Sequence, residues 1–278
     1  MGEKIRGATN SPARVDLYST YKDFTRQVLN AIRKETFGID IGQNSWTTAE
    51  EYDRFISWLA ISPENHILEV ASGSGGPAIY LAEKTTCHIS GIDSNAGGID
   101  TAINLAEAAN QTDQVRFILA DANSTLPFEN NSFDGLICID AINHFPDRLQ
   151  VLTEWHRVVR PGKRALFTDP VVISGPVTND ELAQRSSIGL FLFVPPGLNE
   201  ELIAQAGFKL VEQRDATDNA ALIARRWYEA RQNHKDELVQ IEGTERFDDL
   251  QRFFETVHKL TSERRLSRVV YVAEKARG

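Results

Sequence analysis

The run ILEVASGSGGPAIYLA at 67–82 carries three glycines, Gly73, Gly75 and Gly76, between a strand-like pattern and a helical one. Glycines there let a backbone approach a ligand closely, and the helix start behind them offers N–H groups. Pro77 suits a first helical position. A turn of this kind at the carboxyl end of a parallel strand suits a nucleotide-like ligand. Gly73, Gly75 and Ala78 also satisfy the dinucleotide fingerprint, with Asp93 about 20 residues on. The acids around the turn weigh against two phosphates. Glu69 stands just before the glycines, where it opposes a pyrophosphate and attracts a cationic amino-acid moiety. Asp93, Asp121 and Asp140 each end a predicted strand, and Asp121 can accept from an exocyclic amine. Four strand-end acids around one turn suit a ligand with ammonium and sulfonium groups. His144, in DAINHF at the crevice mouth, titrates near neutrality and suits a general base. A packing or hydrogen-bonding role is the plainer alternative.

These residues need a frame. Short Ile/Val/Leu-rich runs at 66–70, 87–92, 115–120, 133–139 and 164–169 alternate with helical patterns at 77–84, 97–109 and 147–159. That rhythm predicts βαβ units and a parallel sheet covered on both faces. Pro161-Gly162 predicts a turn before the fifth strand. Upstream, 15–36 reads as a helix after a loosely ordered start at 1–12. The stretch 38–46 reads as a loop, and Thr47 or Thr48 as the cap of a helix to about Ala60. Downstream, the spacing predicts helices over 179–193 and 198–206, a strand at 208–214, helical structure over 217–263 and a last strand at 266–275.

Taken in order, LEVASGSGG, GIDS (91–94), ADA (120–122), LPFENNSFDGLICIDAINHF (126–145) and VVRPGKRALFTDP (158–170) resemble the class I S-adenosylmethionine-dependent methyltransferases. The likeness covers about 45–170 and the final strand pair. Ala71 stands where that family usually has its first glycine, and Ser72 where cysteine is common. The resemblance implies an α/β, Rossmann-like seven-stranded sheet with the last strand antiparallel, N-terminal helices and a helical cap. The expected organisation is an N-terminal helical lid (1–60), a cofactor core (61–170, 198–214 and 266–278) and cap insertions (171–197 and 215–265). The plainer reading of those insertions is cover for apolar surface or a dimer interface.

The resemblance also implies roles. S-adenosylmethionine would be the cofactor and S-adenosylhomocysteine its product. Glu69 with Ala71, Ser72, Gly73 and Gly75 would hold the methionine amino end. Asp93 and Ser94 would meet the ribose, Asp121 and Ala122 the adenine, and Asp140 and Ala141 the sulfonium side. Trp46, in the loop Gln43-Asn44-Ser45-Trp46, would fold over the cofactor, with ordinary packing as the alternative. The activity implied is methyl transfer to an O or N atom of a small molecule. An NAD(P)-dependent oxidoreductase and a non-catalytic cofactor-binding protein remain the alternatives.

Composition narrows the partners. Of 278 residues, 41% are hydrophobic and 25% charged, an ordinary globular mixture. The net charge of −9 argues against nucleic acid, which needs a basic face. No apolar run is long enough to span a bilayer, so a cytoplasmic protein without membrane contact is expected. Cys87 and Cys138 have no metal spacing and read as reduced core thiols. The histidines lack ligand spacing, so no metal is expected. A homodimer stays open. Cap aromatics such as Phe191, Trp227, Phe253 and Phe254 suit an apolar pocket, and arginines such as Arg185 and Arg268 suit an anion, a buried core and a solvated face being the plainer readings.

Overall fold

The computed structural model describes residues 26–277. Seven strands form one sheet: β1 (His66–Val70), β2 (His88–Asp93), β3 (Val115–Leu119), β4 (Phe133–Cys138), β5 (Val159–Ile173), β6 (Phe208–Asp215) and β7 (Leu266–Lys275). Their order is β3-β2-β1-β4-β5-β7-β6. β7 runs antiparallel to β5 and β6, and the other pairs are parallel. Chain order reverses between β1 and β4, which opens a crevice at their carboxyl ends.

The strand period of two sorts the apolar side chains into two cores. Leu136 and Cys138 of β4 and Tyr271 and Ala273 of β7 face one side with Trp155. Ile137 of β4 and Val270 and Val272 of β7 face the other, with Tyr52, Phe55 and Ile79. The first face is covered by α5 (Arg148–Val158) and α7 (Leu198–Gln205). The second is covered by α2 (Ala49–Leu59), α3 (Gly76–Thr85) and α4 (Ala96–Ala108). Thr48, not Thr47, caps α2 by accepting from Glu51 N. Cys87 and Cys138 are buried free thiols.

Two expectations change, and a third lies partly outside the described residues. Helix α1 is Gln27–Phe37, so the part of the expected 15–36 helix before residue 26 lies outside the described residues, as does 1–12. β5 begins at Val159, ahead of the expected turn; Pro161-Gly162 instead marks an irregularity in its pairing with β4, with Gly162 at φ 75°. The helix expected over 179–193 stops at Arg185 as α6 (Asn179–Arg185). Beyond it the backbone bonds elsewhere: Leu192 N donates to Asn143 O at 2.8 Å, and Ile173 N donates to Val194 O at 2.8 Å. Those contacts, with Gly189 in the run, win over helical spacing and carry 188–194 across the crevice. The 217–263 stretch is three helices, α8 (Thr217–Asn233), α9 (Lys235–Glu242) and α10 (Thr244–Ser262). Gly243 at φ 81° makes the second break. Phe253, Phe254 and Ile223 of this layer pack with Trp46 and Phe37. No described helix is long and apolar enough to cross a membrane.

Candidate functional site

The chain leaves β1 through Ala71 (φ 58°), Gly73 (φ 54°) and Gly75 (φ 78°). Ala71 thus takes the left-handed conformation that a glycine adopts freely. A Cβ on Gly75 would stand 2.4 Å from the Phe117 ring and 2.7 Å from Ala102. At Gly76 a Cβ would meet the backbone of Ile41 and Gly42 at 2.5 Å, so the segment before α2 lies directly on the turn.

The four acids differ in what holds them. Glu69 is buried; its Oε1 accepts from the Tyr52 hydroxyl at 3.4 Å, and its Oε2 has no hydrogen-bond partner. Burial pushes its carboxyl up to about 8. Asp93 accepts from Gly73 N at 2.9 Å and Asn95 N at 2.8 Å, which ties β2 to the glycine turn. Burial raises it above the usual carboxylate range. Asp121 is exposed and closes its own turn by accepting from Asn123 N at 2.9 Å, and Ala122 is in the core. Asp140, at φ 51°, has both oxygens engaged. Oδ1 accepts from Thr168 Oγ1 at 2.6 Å and Arg268 Nε at 2.7 Å; Oδ2 accepts from Trp46 N at 2.9 Å. The Asp140 charge is therefore matched by a buried guanidinium.

Above the turn lies a cavity of about 370 Å³. Ala71, Asp93, Ser94, Asp140, Ala141 and His144 all line it, with Asn44 and Leu190. Ser72, Gly73 and Gly75 build the turn, and Glu69 stands in β1 just before it. Asp121 and Ala122 stand at the end of β3, and the lining does not bring them to the others. A second cavity, of about 60 Å³, shares Asn44, Asp140 and His144 with the first. Trp46, Arg185, Phe191, Trp227, Phe253 and Phe254 are also in its walls. Arg185 is buried, its guanidinium 4.6 Å from the Phe191 ring centre and 5.4 Å from that of Phe253.

His144 stands where the two cavities meet. It ends a short 3-10 turn after β4, and its Nδ1 is 2.7 Å from the Leu190 carbonyl oxygen. A carbonyl only accepts, so Nδ1 carries the hydrogen and Nε2 the lone pair. Burial, with Arg185 adding to it, lowers its pKa below the ordinary histidine value. The shift favours the neutral ring over the protonated one. Among the described residues no group of three His, Cys, Asp or Glu side chains could hold a metal ion.

Sequence patterns did not single out Tyr52 beside Glu69 or Thr168 beside Asp140. For Arg268 the available signal was one arginine inside the apolar strand LSRVVYVAEK.

The comparisons with known proteins agree with this architecture. The model of a family described as a methyltransferase domain matches residues 68–167. O-methyltransferase rstn1 of Aspergillus nomiae is 34% identical over 159 residues, covering 57% of this chain and 70% of that protein. The glycine/sarcosine/dimethylglycine N-methyltransferase of Actinopolyspora halophila is 26% identical, covering 83% of this chain and 43% of that protein. Among solved structures, phosphoethanolamine N-methyltransferase 2 of Haemonchus contortus, in complex with phosphomonomethylethanolamine and S-adenosylhomocysteine, superposes with a TM-score of 0.78 at 19% identity. It covers 92% of this chain and 60% of that one. With the sheet order, the glycine turn and these relatives in hand, the chain belongs to the class I S-adenosylmethionine-dependent methyltransferases.

Proposed function

We propose that the chain methylates an oxygen or nitrogen of a small molecule, with His144 as the base. The observation that carries this reading is the place of His144: one imidazole lines both the cavity over the glycine turn and the aromatic cavity beside it. In this reading the larger cavity takes S-adenosylmethionine. The residues fit that group. Asp93 and Ser94 line that cavity and would meet the ribose hydroxyls; Asp121 and Ala122, which do not line it, would meet the adenine from the end of β3. The unpartnered Oε2 of buried Glu69 suits an ammonium, next to the backbone of Ala71, Ser72, Gly73 and Gly75. Bound, the cofactor supplies a methyl group on a sulfonium, which leaves as a neutral thioether.

The acceptor then occupies the aromatic cavity, built by the N-terminal segment and the late helices acting as lid and cap. Trp46 walls it, and Asp140 and Ala141 lie at its border with the cofactor. Nε2 of His144 takes the acceptor proton as the new bond to carbon forms. Exclusion of water by the rings and alignment across the junction supply the rest of the rate enhancement.

Thermal denaturation with S-adenosylmethionine, S-adenosylhomocysteine and NADH tests the cofactor half. A ligand at about 100 times its dissociation constant stabilises by ~2.7 kcal/mol. The two sulfur ligands should raise the melting temperature and NADH should not. A shift with NADH alone would sink the reading. A screen of hydroxyl and amine acceptors, read by S-adenosylhomocysteine release, follows.

A further inference from the structure

Arg268 is a guanidinium inside the sheet, fully buried in β7. Burial of such a charge is costly unless every arm is paired. Here Nε donates to Asp140 Oδ1 at 2.7 Å, Nη1 to both Glu51 oxygens at 2.7 and 2.9 Å, and Nη2 to Thr47 Oγ1 at 2.6 Å. Glu51 also accepts from Asn219 Nδ2 at 2.9 Å. The backbone N–H of Arg268 donates to Thr217 Oγ1, and its carbonyl accepts from Ala216 N. One residue of the last strand therefore ties together the loop after β4, the start of α2 and the start of α8.

The bond to Asp140 reaches furthest. Asp140 is held in a left-handed conformation that non-glycine residues seldom adopt. Its other oxygen accepts from Trp46 N at 2.9 Å. Asn44 lines both cavities, and Ser45 and Trp46 line the aromatic one. The chain of bonds is thus Arg268 to Asp140 to Trp46, and it ends in the wall of the aromatic cavity, two residues from Asn44, which both cavities share. We propose that Arg268 is a positioning residue of the transfer site: it fixes the Asp140 carboxylate, and through it holds segment 44–46, of which Asn44 faces both cavities and Ser45 and Trp46 wall the aromatic one. This rests on the reading of the cavities given above. The fork sets Nε, Nη1 and Nη2 on three separate partners, a spread of donors that the point-like ammonium of lysine does not reproduce.

Amide hydrogen exchange on the full chain tests the link without an acceptor. In Arg268→Lys, peptides over 43–48 should exchange at least about tenfold faster, and those from β1, β2 and α3 within about twofold of wild type. Asp140→Ala leaves Arg268 paired with Glu51 and should reproduce the same local increase. Val158→Ala, a core truncation where α5 meets β5, is the control for a general loss of stability. At an equal fall in melting temperature it should leave 43–48 unchanged. Unchanged exchange at 43–48 in both variants, or an increase no larger than in Val158→Ala, overturns the proposal alone. Failure of wild type to bind S-adenosylhomocysteine overturns the reading of the cavities and the proposal with it.

Discussion

The imidazole of His144 and the carbonyl of Leu190 are joined at 2.7 Å, across 46 positions of sequence. This bond fixes the tautomer, because a carbonyl accepts and cannot donate, so Nδ1 carries the hydrogen. If Nε2 is the base, the form that reacts is the neutral ring. Burial holds its pKa below the ordinary value of about 6.5. The acid limb of kcat/KM should therefore lie below about pH 6.5, with activity rising through it and level near neutrality. His144→Gln should remove that limb and lower kcat about 10²- to 10⁴-fold for a hydroxyl acceptor. An amine already neutral should lose less. A pH–rate profile of the variant that matches wild type would retire the base assignment.

Glu69 predicts a conflict between stability and cofactor binding. Burial raises its carboxyl to about 8, with Tyr52 as its hydrogen-bond donor. In the unfolded chain it titrates near 4.3. Between those values unfolding releases a proton, so this group's contribution to stability falls as pH rises and is lost above about pH 8. Glu69→Gln should therefore stabilise the ligand-free protein at pH 8 relative to wild type, with little difference at pH 4. The same substitution should weaken S-adenosylhomocysteine binding. Wild-type affinity should tighten as pH approaches 8, because an ammonium binds the ionised carboxylate. Denaturation at the two pH values and calorimetry across the range read both effects. Equal stability of the two proteins at pH 8 would contradict the raised carboxyl.

Asp93 joins two tasks in one carboxylate. It receives Gly73 N and Asn95 N, so it shapes the turn while facing the cavity. Hydrogen bonds to a charged group are worth about 1.5–3 kcal/mol. Asp93→Ala should weaken cofactor binding about 10- to 150-fold, by the ribose contact and by loosening Gly73. Unaltered affinity in a titration would refute the ribose assignment.

The parts of the site that sequence reveals are those that topology brings together. Strands of Ile, Val and Leu alternating with helices imply a parallel sheet, and a parallel sheet collects its carboxyl ends on one edge. Ala71, Asp93, Asp140 and His144 follow β1, β2 and β4 and reach one cavity for that reason. Partner choice is not written in such patterns. Asp140 reads as a free strand-end acid until Arg268, 128 positions on, is seen against it. The same limit explains 186–193. Its apolar residues fit a helix, but Leu192 N pairs with Asn143 and the following Val194 pairs with β5, which local spacing does not encode. Pro161-Gly162 misled in the opposite direction, since a twisted strand can absorb a local irregularity without ending.

The crossing segment has its own anchor, and it gives a stability prediction. Arg148 is buried with Asp169 and Asn199. Its Nη1 donates to Asp169 Oδ2 at 2.5 Å and Asn199 Oδ1 at 2.8 Å, while Nη2 donates to the Leu192 carbonyl at 2.6 Å. Asn199 Nδ2 closes the triangle on Asp169 at 2.8 Å. Arg148→Met leaves the Asp169 carboxylate buried without its counter-charge, a loss of about 3–5 kcal/mol. Asp169→Asn in the same chain removes the stranded charge and should recover a large part of that loss, so the two substitutions should be strongly non-additive. The local consequence should persist in the double variant. Without the bond to Leu192, the 190–192 backbone loses a fixed position, and with it the acceptor that orients His144. The double variant should therefore approach wild-type melting while the acid limb of its pH–rate profile stays displaced. Additive losses in denaturant would show that Arg148 and Asp169 do not act as a pair, and a wild-type profile would show that His144 keeps its orientation without them.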